Sequence, residues 1–117
     1  MTASAQHAKD RYDATGKGVV TFVNTFTVSS DPLDFERVFA DISEFMAAQP
    51  GFLQFTLSKH VDAARGNEYV NIALWTDVQS WRDAIAAPGF ADHAKELRAR
   101  ATNVANLYEP RLEFVKA

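Results

Sequence analysis

Two asparagines occur in segments whose other residues are typical of buried β-strands. Asn24 lies in VVTFVNTFTV and Asn71 in YVNIALW. Asparagine is depleted in strands, and a primary amide buried without hydrogen-bond partners costs roughly 2–7 kcal/mol, depending on the reference state. Because side chains alternate between the two faces of a strand, each amide shares its face with aromatic residues. These aromatic residues are Phe22 and Phe26 beside Asn24, and Tyr69 and Trp75 beside Asn71.

The two amides have two interpretations. If their strands are neighbours in a sheet, both amides line one aromatic pocket and donate hydrogen bonds to a ligand. Alternatively, each amide is paired with nearby backbone or with a water molecule, as buried polar groups usually are. Trp75 also has a structural explanation, since aromatic side chains dominate core energetics whatever the function. Trp81 and Phe90, on apolar helical stripes, are expected in the core for the same reason.

His93 is the histidine that lies nearest an apolar stripe, three residues after Phe90 and four before Leu97. It is the candidate base at neutral pH, with a helix-capping or solvent-facing position as the alternatives. The sequence has no HExxH, GxGxxG, GK[ST] or GxSxG motif. We therefore expect no metal site, and nucleotide and serine-hydrolase chemistry lose most of their support.

The bulk composition fits one globular domain and excludes several classes of partner. The 117 residues carry a formal charge of −3 and no basic cluster, which argues against nucleic acid. The absence of cysteine excludes disulfides and thiolate chemistry, and it suits a reducing compartment. No apolar run approaches the roughly 20 residues that span a bilayer, and the N-terminal segment lacks the apolar core of a signal peptide. We therefore expect a cytoplasmic protein that does not enter a membrane.

The candidate site residues lie on helices and strands that the hydrophobic pattern predicts in the order βαββαβ. Residues 1–17 have no sustained period and are expected to form a flexible arm, followed by one domain over 18–117. Asp31 and Pro32 open an amphipathic helix, and Gly51 ends it. Pro88-Gly89 breaks the second helical region, which Asp77 opens. The predicted strands cover residues 19–28, 52–61, 69–75 and 104–116, with Pro110 at a sheet edge.

The order of elements is that of the α+β ferredoxin-like fold. We expect the first and third strands at the centre of the sheet, running parallel and joined by a right-handed crossover. Helices cover only one face of such a sheet. Both faces of the first and third strands, however, are too apolar to be exposed to solvent. The uncovered face is therefore predicted to pack against a second copy of the chain, giving a homodimer.

Taken together, VTFVNTFTV, QPGF, YVNIALWTD and PGFADHAKELRA resemble the antibiotic biosynthesis monooxygenase superfamily, whose members are small dimeric α/β-barrel proteins. The resemblance covers roughly residues 18–116. Within the superfamily, the chain is similar to the cofactor-independent anthrone oxygenases of aromatic polyketide pathways. Their N-x-x-x-W pattern matches Asn71 and Trp75, and their asparagine in the first strand matches Asn24.

The resemblance implies that an anthrone intermediate is oxidised to a quinone by O₂, without flavin, haem or metal. Asn24 and Asn71 would then donate hydrogen bonds to the oxygen on which enolate charge develops, where one donor is worth about 3 kcal/mol. Trp75 and Tyr69 would stack on the planar substrate and exclude water. The remaining substrate-binding candidates are Phe22, Phe26 and His93.

Two rival interpretations stay open. The haem-degrading oxygenases of the same superfamily have an asparagine in the first strand and a histidine that ligates iron. Asn24 and His93 are the approximate counterparts of these two residues. The tryptophan that this subgroup places after the third strand is Ala84 here, and His93 lies one residue closer to Phe90 than the pattern requires. Because a fold does not fix a function, the chain is alternatively a non-catalytic or cyclase-type dimer that binds a polyketide.

Overall fold

A computed structural model describes residues 18–116 of the chain. The predicted arm, residues 1–17, lies outside this part. The order of elements agrees with the prediction, and the second helical region is divided in two at Pro88-Gly89. The elements are β1 (Val20–Val28), α1 (Pro32–Ala47), β2 (Phe52–Lys59), a 3₁₀ turn (Ala63–Arg65), β3 (Glu68–Trp75), α2 (Val78–Ala86), α3 (Phe90–Arg98) and β4 (Ala101–Tyr108).

Helix α1 begins where its sequence predicts. The Asp31 carboxylate accepts a hydrogen bond from the Leu33 amide at 3.3 Å, and Pro32 occupies the first helical position. Asp34, in the first turn, accepts a hydrogen bond from the Arg100 guanidinium at 2.6 Å. This ion pair joins the start of α1 to the residue just before β4. The face of α1 turned to the sheet is buried through Phe35, Val38, Phe39 and Ile42.

The sheet has the strand order β2-β3-β1-β4, and every neighbouring pair is antiparallel. This order confirms the ferredoxin-like fold and the central position of β1 and β3. The expected parallel direction of β1 and β3 is wrong. The crossover through α1 joins β1 to β2, and these two strands are parallel with β3 between them. The turn after β2 then reverses the chain, so that β3 runs against both of its neighbours.

Two strand boundaries differ from the prediction. Strand β4 covers Ala101–Tyr108 rather than residues 104–116, because its pairing with β1 already begins where Ala101 meets Val28. Pro110 lies beyond the strand, where its missing amide hydrogen costs no ladder bond. Strand β2 ends at Lys59 rather than at residue 61.

Gly51 lies in the turn between α1 and β2 rather than at the last residue of the helix, which ends at Ala47. Its φ of +86° is accessible to glycine, and a Cβ there would lie 2.3 Å from Oγ of Ser80. The Gly51 carbonyl accepts a hydrogen bond from the Thr76 amide at 2.8 Å. The turn therefore fixes the start of β2 beside the end of β3, where Trp75 lies.

The helices cover one face of the sheet, and the core lies between them. One buried cluster surrounds Phe26, Phe35 and Phe39, and a second surrounds Trp75 and Val20. On the opposite face, which we call the open face, several large apolar side chains are exposed, among them Ile72 at 45% and Val104 at 65%. This difference between the two faces agrees with the sequence prediction of an uncovered apolar surface.

Candidate active site

The strand register places the two asparagines directly opposite each other. Asn24 of β1 pairs with Asn71 of β3, and both side chains lie on the face that the helices cover. Directly opposed residues on antiparallel strands have Cβ atoms about 4.5–5.5 Å apart. The amides are therefore close enough to contact the same ligand atom or two neighbouring ones.

Both asparagines line a cavity of about 250 Å³ between the sheet and the helices. This volume is slightly below the roughly 300–1,000 Å³ that is usual for small-molecule sites. The cavity therefore suits one small molecule. Its lining is mainly aromatic and aliphatic, and the aromatic residues include Phe22, Phe26, Phe39, Phe52, Trp75 and Trp81.

A third asparagine, which the sequence analysis did not identify, extends this pair. Asn103 of β4 lines the same cavity, and its Nδ2 donates a hydrogen bond to Oδ1 of Asn24 at 2.9 Å. Asn71, Asn24 and Asn103 thus lie on three adjacent strands, and we call them the amide row. Alternation along β4 would have placed Asn103 on the cavity face, but the strand was predicted to begin one residue later.

Asn71 is buried, at 8% exposure, and its Oδ1 has no hydrogen-bond partner among residues 18–116. A buried acceptor without a donor costs about 1–3 kcal/mol. The Nε1 of Trp81, another residue of the cavity wall, is also buried and lacks a partner in this part of the chain. Residues 18–116 thus supply no partner for either atom. Trp81 is therefore part of the cavity wall as well as of the core.

Trp75, the last residue of β3, lines the cavity. It is 1% exposed, and its ring meets that of Phe52 edge to face at a centroid distance of 5.3 Å. Phe22 packs against Trp81 on the same wall, with their centroids 5.5 Å apart. The predicted aromatic residues Phe22, Phe26 and Trp75 therefore meet at the cavity with both predicted asparagines.

Tyr69 and His93 are not among the residues that line the cavity. The Tyr69 hydroxyl donates a hydrogen bond to Glu36 at 2.6 Å, and its ring packs against Phe35 under α1. Burial and then the Glu36 carboxylate raise the pKa of Tyr69 to about 12. The His93 ring lies 5.2 Å from the ring of Phe45. Tyr69 and His93 thus lie apart from the cavity that brings the other predicted site residues together.

Arg98, at the end of α3, is the one charged residue among those that line the cavity within residues 18–116. No carboxylate of that part of the chain lies within 4.0 Å of its guanidinium, whereas Arg37, Arg65 and Arg100 are all paired. Arg98 is also exposed, so it lies at the opening of the cavity. The site therefore combines an apolar interior, neutral amides and one unpaired cation.

Residues 18–116 contain neither a cluster of metal-ligating side chains nor a membrane-spanning helix. No group of three or more histidine and acidic side chains is arranged to hold a metal ion. No helix in the same range is long and apolar enough to cross a membrane.

The fold is that of a known family of monooxygenases. Residues 19–104 match the antibiotic biosynthesis monooxygenase family, and the chain belongs to that family. This finding confirms the resemblance that the strand and turn motifs indicated.

Two relatives and one more distant solved structure are similar to the chain. Deoxynogalonate monooxygenase of Streptomyces nogalater is 50% identical over 92 residues, which cover 79% of this chain and 76% of that protein. The crystal structure of SnoaB, a cofactor-independent oxygenase from Streptomyces nogalater, matches with a TM-score of 0.76 and 49% identity, over 80% of this chain and 93% of SnoaB. A conserved protein from Methanosarcina mazei matches with a TM-score of 0.70 but 14% identity, over 80% of this chain and 93% of that one. The last comparison shows a shared fold alone.

Proposed function

We propose that this protein is a cofactor-independent monooxygenase that oxidises an anthrone-type polyketide intermediate to the corresponding quinone with O₂. The observation that carries the proposal is the opposed pair Asn24 and Asn71, facing an aromatic cavity of the size of one small ligand. Relatives that are about half identical over most of the chain are named as a monooxygenase and as a cofactor-independent oxygenase.

The proposed reaction needs no cofactor because the substrate itself supplies the electrons. Loss of a proton from the acidic methylene of an anthrone gives an electron-rich enolate. The enolate transfers one electron to O₂, and the two radicals combine to form a carbon–oxygen bond. The resulting peroxide anion takes back the proton that the methylene lost. Loss of the remaining C–H proton with cleavage of the O–O bond then gives the quinone carbonyl and one molecule of water. One oxygen atom of O₂ thus enters the product, and the other leaves as water.

The cavity residues assist this reaction by stabilising the enolate. An amide N–H directed at the enolate oxygen stabilises the charge as it develops, and one such donor is worth about 3 kcal/mol in a site that excludes water. Asn24 and Asn71 supply these donors without placing a competing charge in the cavity. The rings of Phe22, Phe26 and Trp75 exclude bulk water and pack against the planar substrate.

Arg98 supports a narrower proposal for the substrate class. An unpaired guanidinium at the opening of an apolar cavity fits a substrate with a planar ring system and an acidic substituent at its edge. The relative from Streptomyces nogalater is named for a carboxylate, deoxynogalonate. We propose that the substrate of this chain likewise carries a carboxylate, which binds Arg98 while the rings occupy the interior.

The test uses dithranol, a simple anthrone, and its ring-carboxylated analogue. Chelator-treated protein is expected to consume O₂ and form the quinone from both compounds faster than they oxidise spontaneously. The analogue is expected to show a KM about tenfold lower, corresponding to about 1.4 kcal/mol of binding free energy. Oxygen electrode and quinone absorbance traces give both values. Failure to accelerate either compound would contradict the proposed function, and equal KM values would contradict only the role of Arg98.

We also propose that the protein is a homodimer formed through the open face. Ile72 and Val104 are 45% and 65% exposed there, together with Tyr108 at 53%. Their strand partners Val23 and Thr25 continue the same surface across β1. Several large exposed apolar side chains on one face of a sheet are typical of an interface. A second copy of the sheet, facing the first, would cover it.

A further inference from the structure

The hydrogen bond between Asn103 and Asn24 determines which way the Asn24 amide faces. A primary amide is planar, with its acceptor oxygen on one side of the Cβ–Cγ axis and its donor NH₂ group on the other. Asn103 donates to Oδ1 of Asn24 from the β4 side. Since β1 lies between β4 and β3, the Nδ2 group of Asn24 is turned away from β4, towards Asn71 and the cavity.

The backbone alone does not impose this orientation. The terminal torsion of an asparagine side chain is broad and roughly two-fold, so both orientations of the amide are accessible in the absence of a partner. The residue of β4 directly opposite Asn24 is Ala105, whose side chain has no polar atom. Asn103 is the diagonal neighbour, two residues along the same face, which is within reach of a longer side chain.

The orientation matters because the two ends of the amide act in opposite ways on an anion. With Nδ2 towards the cavity, Asn24 donates a hydrogen bond to an enolate oxygen. With Oδ1 towards the cavity, the amide dipole is reversed and repels the same charge.

We infer that Asn103 is a positioning residue, which holds the Asn24 amide with its N–H directed at the developing oxyanion. The inference rests on the proposed function, and it assigns Asn103 no contact with the substrate. It explains why a third amide lies in a cavity lining that is otherwise mainly apolar.

The test combines Asn103 variants with Asn24→Ala in a double-mutant cycle. Asn103→Ala is expected to lower kcat about fivefold, the effect of losing one ordinary hydrogen bond, with a smaller change in KM. Asn103→Asp is expected to lower kcat further, because its carboxylate accepts from Nδ2 of Asn24 and turns the amide the wrong way. In the Asn24→Ala background, Asn103→Ala is expected to change kcat less than twofold, because nothing remains to be positioned.

Independent, additive losses in kcat would overturn the inference, as would wild-type kcat in Asn103→Asp. Asn106→Ala, on the same strand but the opposite face, is the control for effects on β4 itself. A second readout does not depend on turnover. In ¹H–¹⁵N spectra, the side-chain NH₂ signals of Asn24 are expected to shift or broaden in Asn103→Ala and to stay in place in Asn106→Ala. Unchanged Asn24 signals in Asn103→Ala would contradict the inference, whereas a wild type that oxidises no anthrone would contradict the proposed function instead.

Discussion

Replacing Asn71 by alanine is expected to lower kcat for anthrone oxidation about 100-fold and to raise KM far less. A single donor to a developing oxyanion contributes about 10²–10³ in kcat, because the interaction strengthens as the charge forms. Asn71 is buried on a central strand, so water does not readily take the place of its amide as a hydrogen-bond donor. Initial rates of O₂ consumption over a range of dithranol concentrations separate kcat from KM.

The matched control for Asn71→Ala is Asn67→Ala, which removes an exposed amide just before β3. Wild-type kinetics in Asn67→Ala would show that the loss belongs to the position and not to the residue type. The kinetics of Asn71→Ala also distinguish an oxygenase from a protein that only binds polyketides. If kcat stays the same in Asn71→Ala and only KM rises, the amide contributes to ground-state binding, and its proposed role in catalysis is wrong.

Replacing Ile72 by glutamate is expected to convert the proposed dimer into a monomer. Ile72 lies on a central strand at the open face, next to Val23 of β1. A carboxylate at the middle of an apolar interface loses its hydration without gaining a partner, and two copies bring two such charges together. We expect the dimer Kd to rise by at least about 100-fold, or about 2.7 kcal/mol. Light scattering after size exclusion gives the mass, to be compared with 13.0 kDa for one chain.

Leu33→Glu is the control for this experiment, because Leu33 is 73% exposed on α1 and lies away from the open face. It changes the charge equally and is expected to leave the mass of the wild-type species unchanged. A wild type that is monomeric at all concentrations would contradict the proposed interface. So would an Ile72→Glu variant that keeps the mass of a dimer.

Most of the fold was predictable because local signals agree with one another. Capping by Asp31 and Asp77 and the break at Pro88-Gly89 fix the helices, and β-branched and aromatic runs mark three of the strands. The direction of β1 relative to β3 was predicted wrongly, since side-chain alternation is the same in parallel and antiparallel strands. The relative direction of β1 and β3 depends on where in the sheet the segments after β1 and β2 place the next strand, and alternation carries no information about that.

The site was predictable where its residues depart from the usual composition of strands. Asn24 and Asn71 are polar residues in buried segments, and alternation assigns them to aromatic faces. Asn103 lies in a segment without apolar alternation, and Arg98 is an ordinary charged residue at the end of a helix, so neither differs from a surface residue in the sequence. Tyr69 shares a strand face with Asn71, but a shared face does not reveal that α1 covers that end of the strand.

Anaerobic titration of bound dithranol measures whether the cavity stabilises the conjugate base of an anthrone. Without O₂ the bound anion accumulates instead of reacting, and its absorbance can be followed against pH in the presence of excess protein. We expect the anion to appear at a pH about one unit or more lower than for free dithranol, which corresponds to at least about 1.4 kcal/mol of preferential binding of the anion. An unchanged or higher apparent pKa of the bound anthrone would contradict the account.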